Sequence, residues 1–171
     1  MISVFDSERI DYIPVSFDLV DDYLVMVNDK EIQRLISKNE RVYSREDELN
    51  WIKSKLEDKA YVFSMISKED GSYIGNVELM DVENGSAEVG LCITMGMQNK
   101  HYGTEALKRI IEYAFKDVGL NTLTAVIFSN NVRSLHNVEK MGFRRCGITE
   151  NVKVENGISI DDIYFKLEKQ V

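Results

Sequence analysis

Apolar positions in this chain follow two rhythms. Ala106, Leu107, Ile110, Ile111, Ala114 and Phe115 recur three and four residues apart, the spacing of one helix face, and predict a helix from Gly103 to about Val118 that stops at Gly119. The runs AYVFSMIS, YIGNVELMDV and AEVGLCIT are instead rich in β-branched and aromatic residues. KEDGS and ENGS separate them with the glycine a tight hairpin needs, so the middle of the chain reads as an antiparallel meander. Upstream, ERIDYIP alternates as a short strand, and DLVDDYLVMVND with KEIQRLIS reads as one broken or two short helices. SREDELNWIKSKLED then opens a further helix with a capping box of Ser44 and Asp47. Downstream come a strand, NTLTAVIF, a helix from Asn131 to Met141 stopped by Gly142, and a last hairpin of FRRCGITENVKV and ISIDDIYFKLE turning at Glu155, Asn156 and Gly157. No repeat, low-complexity tract or linker divides this mixed α/β pattern.

Composition narrows the classes. The 171 residues are 44% hydrophobic and 29% charged with one proline, and no apolar stretch approaches the ~18 residues of a membrane span, so one globular core and no membrane partner are expected. MISVFDSERI lacks the basic flank and apolar run of a secretory leader, which makes the cytoplasm the expected compartment. Cys92 and Cys146 are too few for a disulfide framework and have no partner at metal-ligand spacing; both are expected to be buried thiols, with no metal. A formal charge of −8 argues against nucleic acid and would draw in a cation, although it serves solubility equally well.

The polar run Gln98 to Thr104 feeds directly into the start of the predicted helix. Exposed backbone donors at a helix N-terminus favour an anion, phosphate above all, because first-turn N–H groups lack partners and the dipole is positive there. The same residues also read as a plain capped amphipathic helix, and they match neither the P-loop nor the dinucleotide fingerprint.

Gln98-Asn99-Lys100-His101-Tyr102-Gly103 nevertheless resembles the acyl-CoA pyrophosphate loop of the GNAT superfamily of N-acetyltransferases, whose signature is Q/R-x-x-G-x-G/A. The following Thr104-Glu105-Ala106 resembles the branch of ribosomal-protein alanine and serine N-terminal acetyltransferases. AEVGL, Asn131-Val132-Arg133-Ser134, Glu139-Lys140-Met141-Gly142-Phe143 and NGISIDDIYF fall where that branch has matching features. The resemblance implies a single GNAT-like α/β (α+β) domain over residues 1–171, with a mixed, mostly antiparallel central sheet of about 6–7 strands flanked by helices. It implies acetyl-CoA as co-substrate. The cofactor would lie over Gln98, Asn99, Lys100, His101, Tyr102, Gly103 and Thr104, with Leu91, Cys92, Ile93 and Thr94 along the pantetheine arm and Asn131 bonded to that arm or to the strand edge.

Two departures stand out. His101 replaces the first signature glycine and either contacts a phosphate or projects to solvent. Val138 stands where many members carry a tyrosine that protonates the thiolate, an aliphatic choice frequent in the ribosomal-protein branch; Ser134 is the replacement acid or a helix cap. Period-two alternation puts Glu88 opposite Val89, Leu91 and Ile93, as a solvated glutamate or as the base that takes a proton from the amine. Glu78, on the preceding strand, is the rival base or a ligand for the substrate ammonium. An acyl-Cys92 route has no imidazole tied to it by spacing.

The expected reaction is direct transfer of acetyl to a primary amine, either a protein N-terminus or a small amine such as a polyamine. The alternative is a catalytically silent acyl-CoA-binding module. Glu31, Glu40, Glu46, Asp47 and Glu48 fall on the expected acceptor side, where they attract a polycation or merely solvate helix faces. A homodimer stays open.

Overall fold

The computed structural model describes residues 2–170 and is built on one eight-stranded sheet, ordered β1-β2-β3-β4-β5-β6-β8-β7. The strands are β1 (Phe5–Asp6), β2 (Ile10–Pro14), β3 (Tyr61–Ser67), β4 (Tyr73–Glu83), β5 (Ser86–Ile93), β6 (Thr122–Phe128), β7 (Arg144–Glu155) and β8 (Ile158–Glu168). That is one strand more than the upper expectation. The addition is β1, two residues whose sequence carries no strand signal and which form only by pairing Phe5 with Tyr12 and Asp6 with Asp11. Every pairing is antiparallel except that of β5 with β6.

The β4–β5 and β7–β8 hairpins close through Asn84-Gly85 and Asn156-Gly157. All four residues have positive φ, the conformation whose twist matches that of paired strands.

Two helical layers cover the sheet. On one face lie α4 (Tyr102–Lys116) and α5 (Val132–Lys140); Ala106, Leu107, Ile110, Ala114 and Val138 pack with Val77, Leu79, Val89, Leu123 and Phe165. On the other lie α1 (Val20–Val27), α2 (Lys30–Ile36) and α3 (Arg45–Glu57), whose Val20, Tyr23, Met26, Ile32 and Ile52 pack with Val62 and Tyr73. The upstream segment therefore forms two helices, broken where Asp29 caps α2 by accepting from the Ile32 N–H at 3.0 Å. Ser44 and Asp47 complete the capping box of α3.

Charges fasten α2 to the far hairpin. Lys153 Nζ donates to the carbonyls of Arg34 at 3.0 Å and Ser37 at 3.1 Å, where the helix leaves acceptors unpaired, and Arg34 Nη1 lies 3.2 Å from Glu155 Oε2.

Candidate active site

The parallel ladder between β5 and β6 is short. It holds Ser86 to Thr122, Ala87 to Leu123 and Glu88 to Thr124 and then ends, although β5 continues to Ile93 and β6 to Phe128. Past Glu88 the strands part, and the edge of β5 facing the gap keeps unpaired backbone groups. Across that gap runs a cavity of about 760 Å³. Leu107, Asn137 and Val138 wall it on the α4–α5 side, and Tyr23, Met26, Glu48 and Trp51 on the α1–α3 side, so it passes through the sheet.

Of the residues singled out by sequence, Glu48, Glu78, Glu88, Leu91, Cys92, Asn131 and Ser134 line this cavity, whereas Glu31, Glu40, Glu46 and Asp47 do not. Ile93 lies in the core beneath α4, Thr94 begins the turn that follows β5, and Gln98 to Thr104 form a separate cradle at the start of α4. The two regions join through Asn137, which sequence reasoning missed. This cavity residue donates from Nδ2 to the Gly103 carbonyl at 3.3 Å and accepts from Thr104 Oγ1 at 3.1 Å. An asparagine three residues beyond Ser134 on a helix whose start is already capped was the available signal.

The cradle has the geometry of an anion site. Asn99 and His101 both take the left-handed conformation, with φ of 62° and 63°, and His101 is the residue before the first turn of α4. Among the described residues the N–H groups of Asn99 to Thr104 donate to no backbone carbonyl. Gln98 ties the cradle to both strand and helix, donating from Nε2 to the Ile93 carbonyl at 3.0 Å and accepting from Arg133 at 2.7 Å. Behind it, Glu105 accepts from the Arg9 N–H and side chain at 2.8 Å each and from the Ser7 hydroxyl at 2.7 Å. Arg9 also donates to the Lys100 carbonyl at 3.0 Å. Burial alone would push the Glu105 carboxyl up, but these hydrogen bonds together hold it below its ordinary range, as a fixed anchor of the loop.

The face of β5 toward α1–α3 carries Glu88, Gly90 and Cys92, while Ala87, Val89, Leu91 and Ile93 face α4, the alternation expected. Met80 stands opposite Glu88 and Glu78 opposite Gly90, so both glutamates share that face. They differ in company. Glu78 has Lys55 Nζ 3.7 Å away, whereas Glu88 has no counter-ion among the described residues; burial first, then Asp81, Asp162 and Glu78, push its carboxyl above the ordinary value.

Asn131 caps α5, accepting from the Ser134 N–H at 3.3 Å, and donates to the Leu35 carbonyl at 3.4 Å. Its side chain is thus committed to α5 and α2 rather than to the strand edge. Ser134 is not the cap, and its hydroxyl faces the cavity unbonded among the described residues. Cys92 sits in the wall with its thiol pushed up to about 12, by burial first and then by Asp29 and Glu78. Cys146, expected to be buried, is exposed on β7, because that edge strand has no helix over it. Among the described residues no three His, Cys, Asp or Glu side chains converge as metal ligands, and no helix is long and apolar enough to cross a membrane.

Comparison with known proteins agrees with this geometry. Residues 9–144 match the model of the acetyltransferase (GNAT) domain. The chain is 31% identical over 117 residues to the uncharacterized N-acetyltransferase p20 of Bacillus licheniformis, covering 67% of this chain and 66% of that one. Among solved structures it is similar to the spermidine N-acetyltransferase of Vibrio cholerae in complex with CoA and spermine. The TM-score is 0.86, with 19% identity over 95% of this chain and 96% of that one. It is likewise similar to the ribosomal-protein-alanine N-acetyltransferase of Brucella melitensis, with a TM-score of 0.76 and 19% identity over 94% of this chain and 99% of that one.

Proposed function

The chain belongs to the GNAT acetyltransferase family, and we propose that it moves the acetyl group of acetyl-CoA directly to a primary amine, with Glu88 as general base. The observation that carries the reading is the parting of β5 from β6 beside an unpaired carboxylate, with Asn137 standing between that cavity and the α4 cradle. The cradle suits a pyrophosphate, since it offers consecutive unpaired N–H groups at a helix N-terminus. The free edge of β5 from Gly90 to Ile93 suits the amide-bearing pantetheine arm. Acetyl-CoA bound there supplies an activated acetyl thioester.

The chain's own residues do the rest. An amine arrives mostly as ammonium at neutral pH; Glu88 attracts it and then accepts its proton, and a carboxyl held above the ordinary value is the better matched base. Glu78, already beside Lys55, serves to orient the cation. The unbonded Ser134 hydroxyl is the donor offered to the leaving thiolate. Cys92 stays a thiol at neutral pH, which favours direct transfer over an acyl-cysteine.

The acceptor is either a protein N-terminus or a small amine. The test is release of CoA-SH, read with a thiol reagent, across peptides, polyamines, amino acids and aminoglycosides. Turnover with any amine supports the reading; acetyl-CoA binding by calorimetry without release from any of them makes the protein a silent binding module.

A further inference from the structure

Four carboxylates line the cavity, Glu48, Glu78, Glu88 and Asp162. Lys55 accompanies Glu78, Lys38 Nζ lies 2.9 Å from Asp162, and Glu88 faces the reacting amine. Glu48 has no such assignment. It is the fourth residue of α3, is only 4% exposed, and its carboxylate makes no hydrogen bond or ion pair among the described residues. Spacing accounts for its burial: it lies one helical turn before Ile52, which is fully buried against the sheet. A carboxylate at that position is costly unless something of opposite charge meets it.

The surroundings state what that is. Trp51, Tyr23 and Tyr43 share the wall, with the Trp51 ring edge-on to Tyr23 at 5.5 Å. Burial pushes the Glu48 carboxyl up, Asp47 adds to this and Arg41 opposes it. The Arg41 guanidinium, however, is stacked 4.1 Å over the Tyr43 ring and forms no ion pair with Glu48. A negative group among aromatic faces complements an ammonium, through both charge and the ring quadrupoles.

We infer that the acceptor is a dicationic aliphatic amine, a diamine or longer polyamine, with one nitrogen held by Glu48 among Trp51, Tyr23 and Tyr43 while another is delivered to Glu88. This rests on the amine acetyltransferase reading. A peptide with a single α-ammonium satisfies Glu88 and leaves Glu48 uncompensated.

The test compares kcat/KM for 1,4-diaminobutane and spermidine with that for 1-aminobutane and an alanine-initiated peptide lacking Lys and Arg, all by CoA-SH release. A charge-assisted contact to the second nitrogen gives the diamines an advantage of about 10- to 100-fold over the monoamine. Glu48→Gln reduces that ratio to near one. The variant melts no lower than the parent at pH 7, because an ionised carboxylate held above its ordinary value in the fold costs stability there. Equal kcat/KM for mono- and diamines in the parent, a preference that survives Glu48→Gln, or a peptide that outcompetes both diamines overturns the inference. Should Glu48→Gln fail to fold, the parent's own ratio decides. Release from the monoamine or peptide without a diamine advantage sinks only the Glu48 assignment, whereas no release from any amine sinks the acetyltransferase reading with it.

Discussion

Gly75→Ala would strike the gap from behind. Gly75 lies on β4 with φ 154°, and a Cβ built there falls 2.0 Å from the Cys92 carbonyl oxygen and 3.0 Å from the Cys92 carbonyl carbon and Ile93 Cα. Real Cβ atoms essentially never come within 3.0 Å of another heavy atom, so β5 must retreat by about 1 Å. Its easiest retreat is into the opening, since beyond Glu88 no β6 partner resists. The backbone strain is about 1–3 kcal/mol. With the lost β4–β5 register the total is about 2–4 kcal/mol, or a melting temperature lower by about 5–15 °C for a chain of this size. Turnover suffers more, because a displacement of about 1 Å at a reacting centre costs on the order of 100-fold. Gly96→Ala is the matched control, with nothing within 4 Å of its added carbon. Thermal unfolding followed by steady-state CoA-SH release decides the matter. A folded Gly75→Ala protein with kcat/KM within about threefold of Gly96→Ala would show that the width of the gap is not set by this contact.

Glu88→Gln is expected to lower kcat by about 10² to 10⁴-fold near neutral pH with little change in acetyl-CoA affinity. Activity of the parent rises with pH as Glu88 loses its proton, through a range above the ordinary glutamate value. The variant lacks that limb yet recovers partly at alkaline pH, where the amine arrives deprotonated. The same defect in Glu78→Gln and none in Glu88→Gln would move the base to β4. His101→Gly relieves a left-handed conformation worth about 1–2 kcal/mol and loses about 0.5–1 kcal/mol to unfolded-chain entropy, so stability stays level or rises slightly. Acetyl-CoA affinity should hold, and a fall of more than about tenfold by calorimetry, or 1.4 kcal/mol, would mean that the imidazole itself touches the phosphates. Cys92→Ala is expected to keep most turnover, since its thiol is held near 12; a stable acetyl adduct on Cys92 by mass spectrometry, with loss of activity in the variant, would reverse this.

What sequence made legible was whatever is encoded locally. The apolar stripe of α4, the Ser44 box and the two Asn-Gly turns are decided by residues a few positions apart. The site was half legible. Glu88 and Ser134 came from a resemblance and from strand alternation, and the cavity holds both. Three features depend on what packs beside them rather than on their own residues and left no local trace. Phe5–Asp6 is a strand only because β2 is beside it, Cys146 is exposed only because nothing covers β7, and Glu105 anchors the loop through Ser7 and Arg9, some 96 residues away. In the sequence Glu48 was only one of five acids that attract a polycation or solvate helix faces; what set it apart, a place on the same helix face as Ile52, was readable in the spacing.

The two sides of the gap are held by different forces. The cradle side is joined by neutral amide and hydroxyl contacts at Asn137 and capped by an anchored Glu105, whereas the α2 wall hangs on Lys153, Arg34 and Glu155 near the surface. Dissolved ions screen the second set and the Arg9–Glu105 pair, and scarcely touch the Asn137 contacts. Ionic strength therefore acts on the two sides for different reasons. As salt rises the α2 wall breathes more freely, while on the cradle side the amide-bonded frame stays in place and it is the attraction between that frame and an anionic acyl donor that weakens.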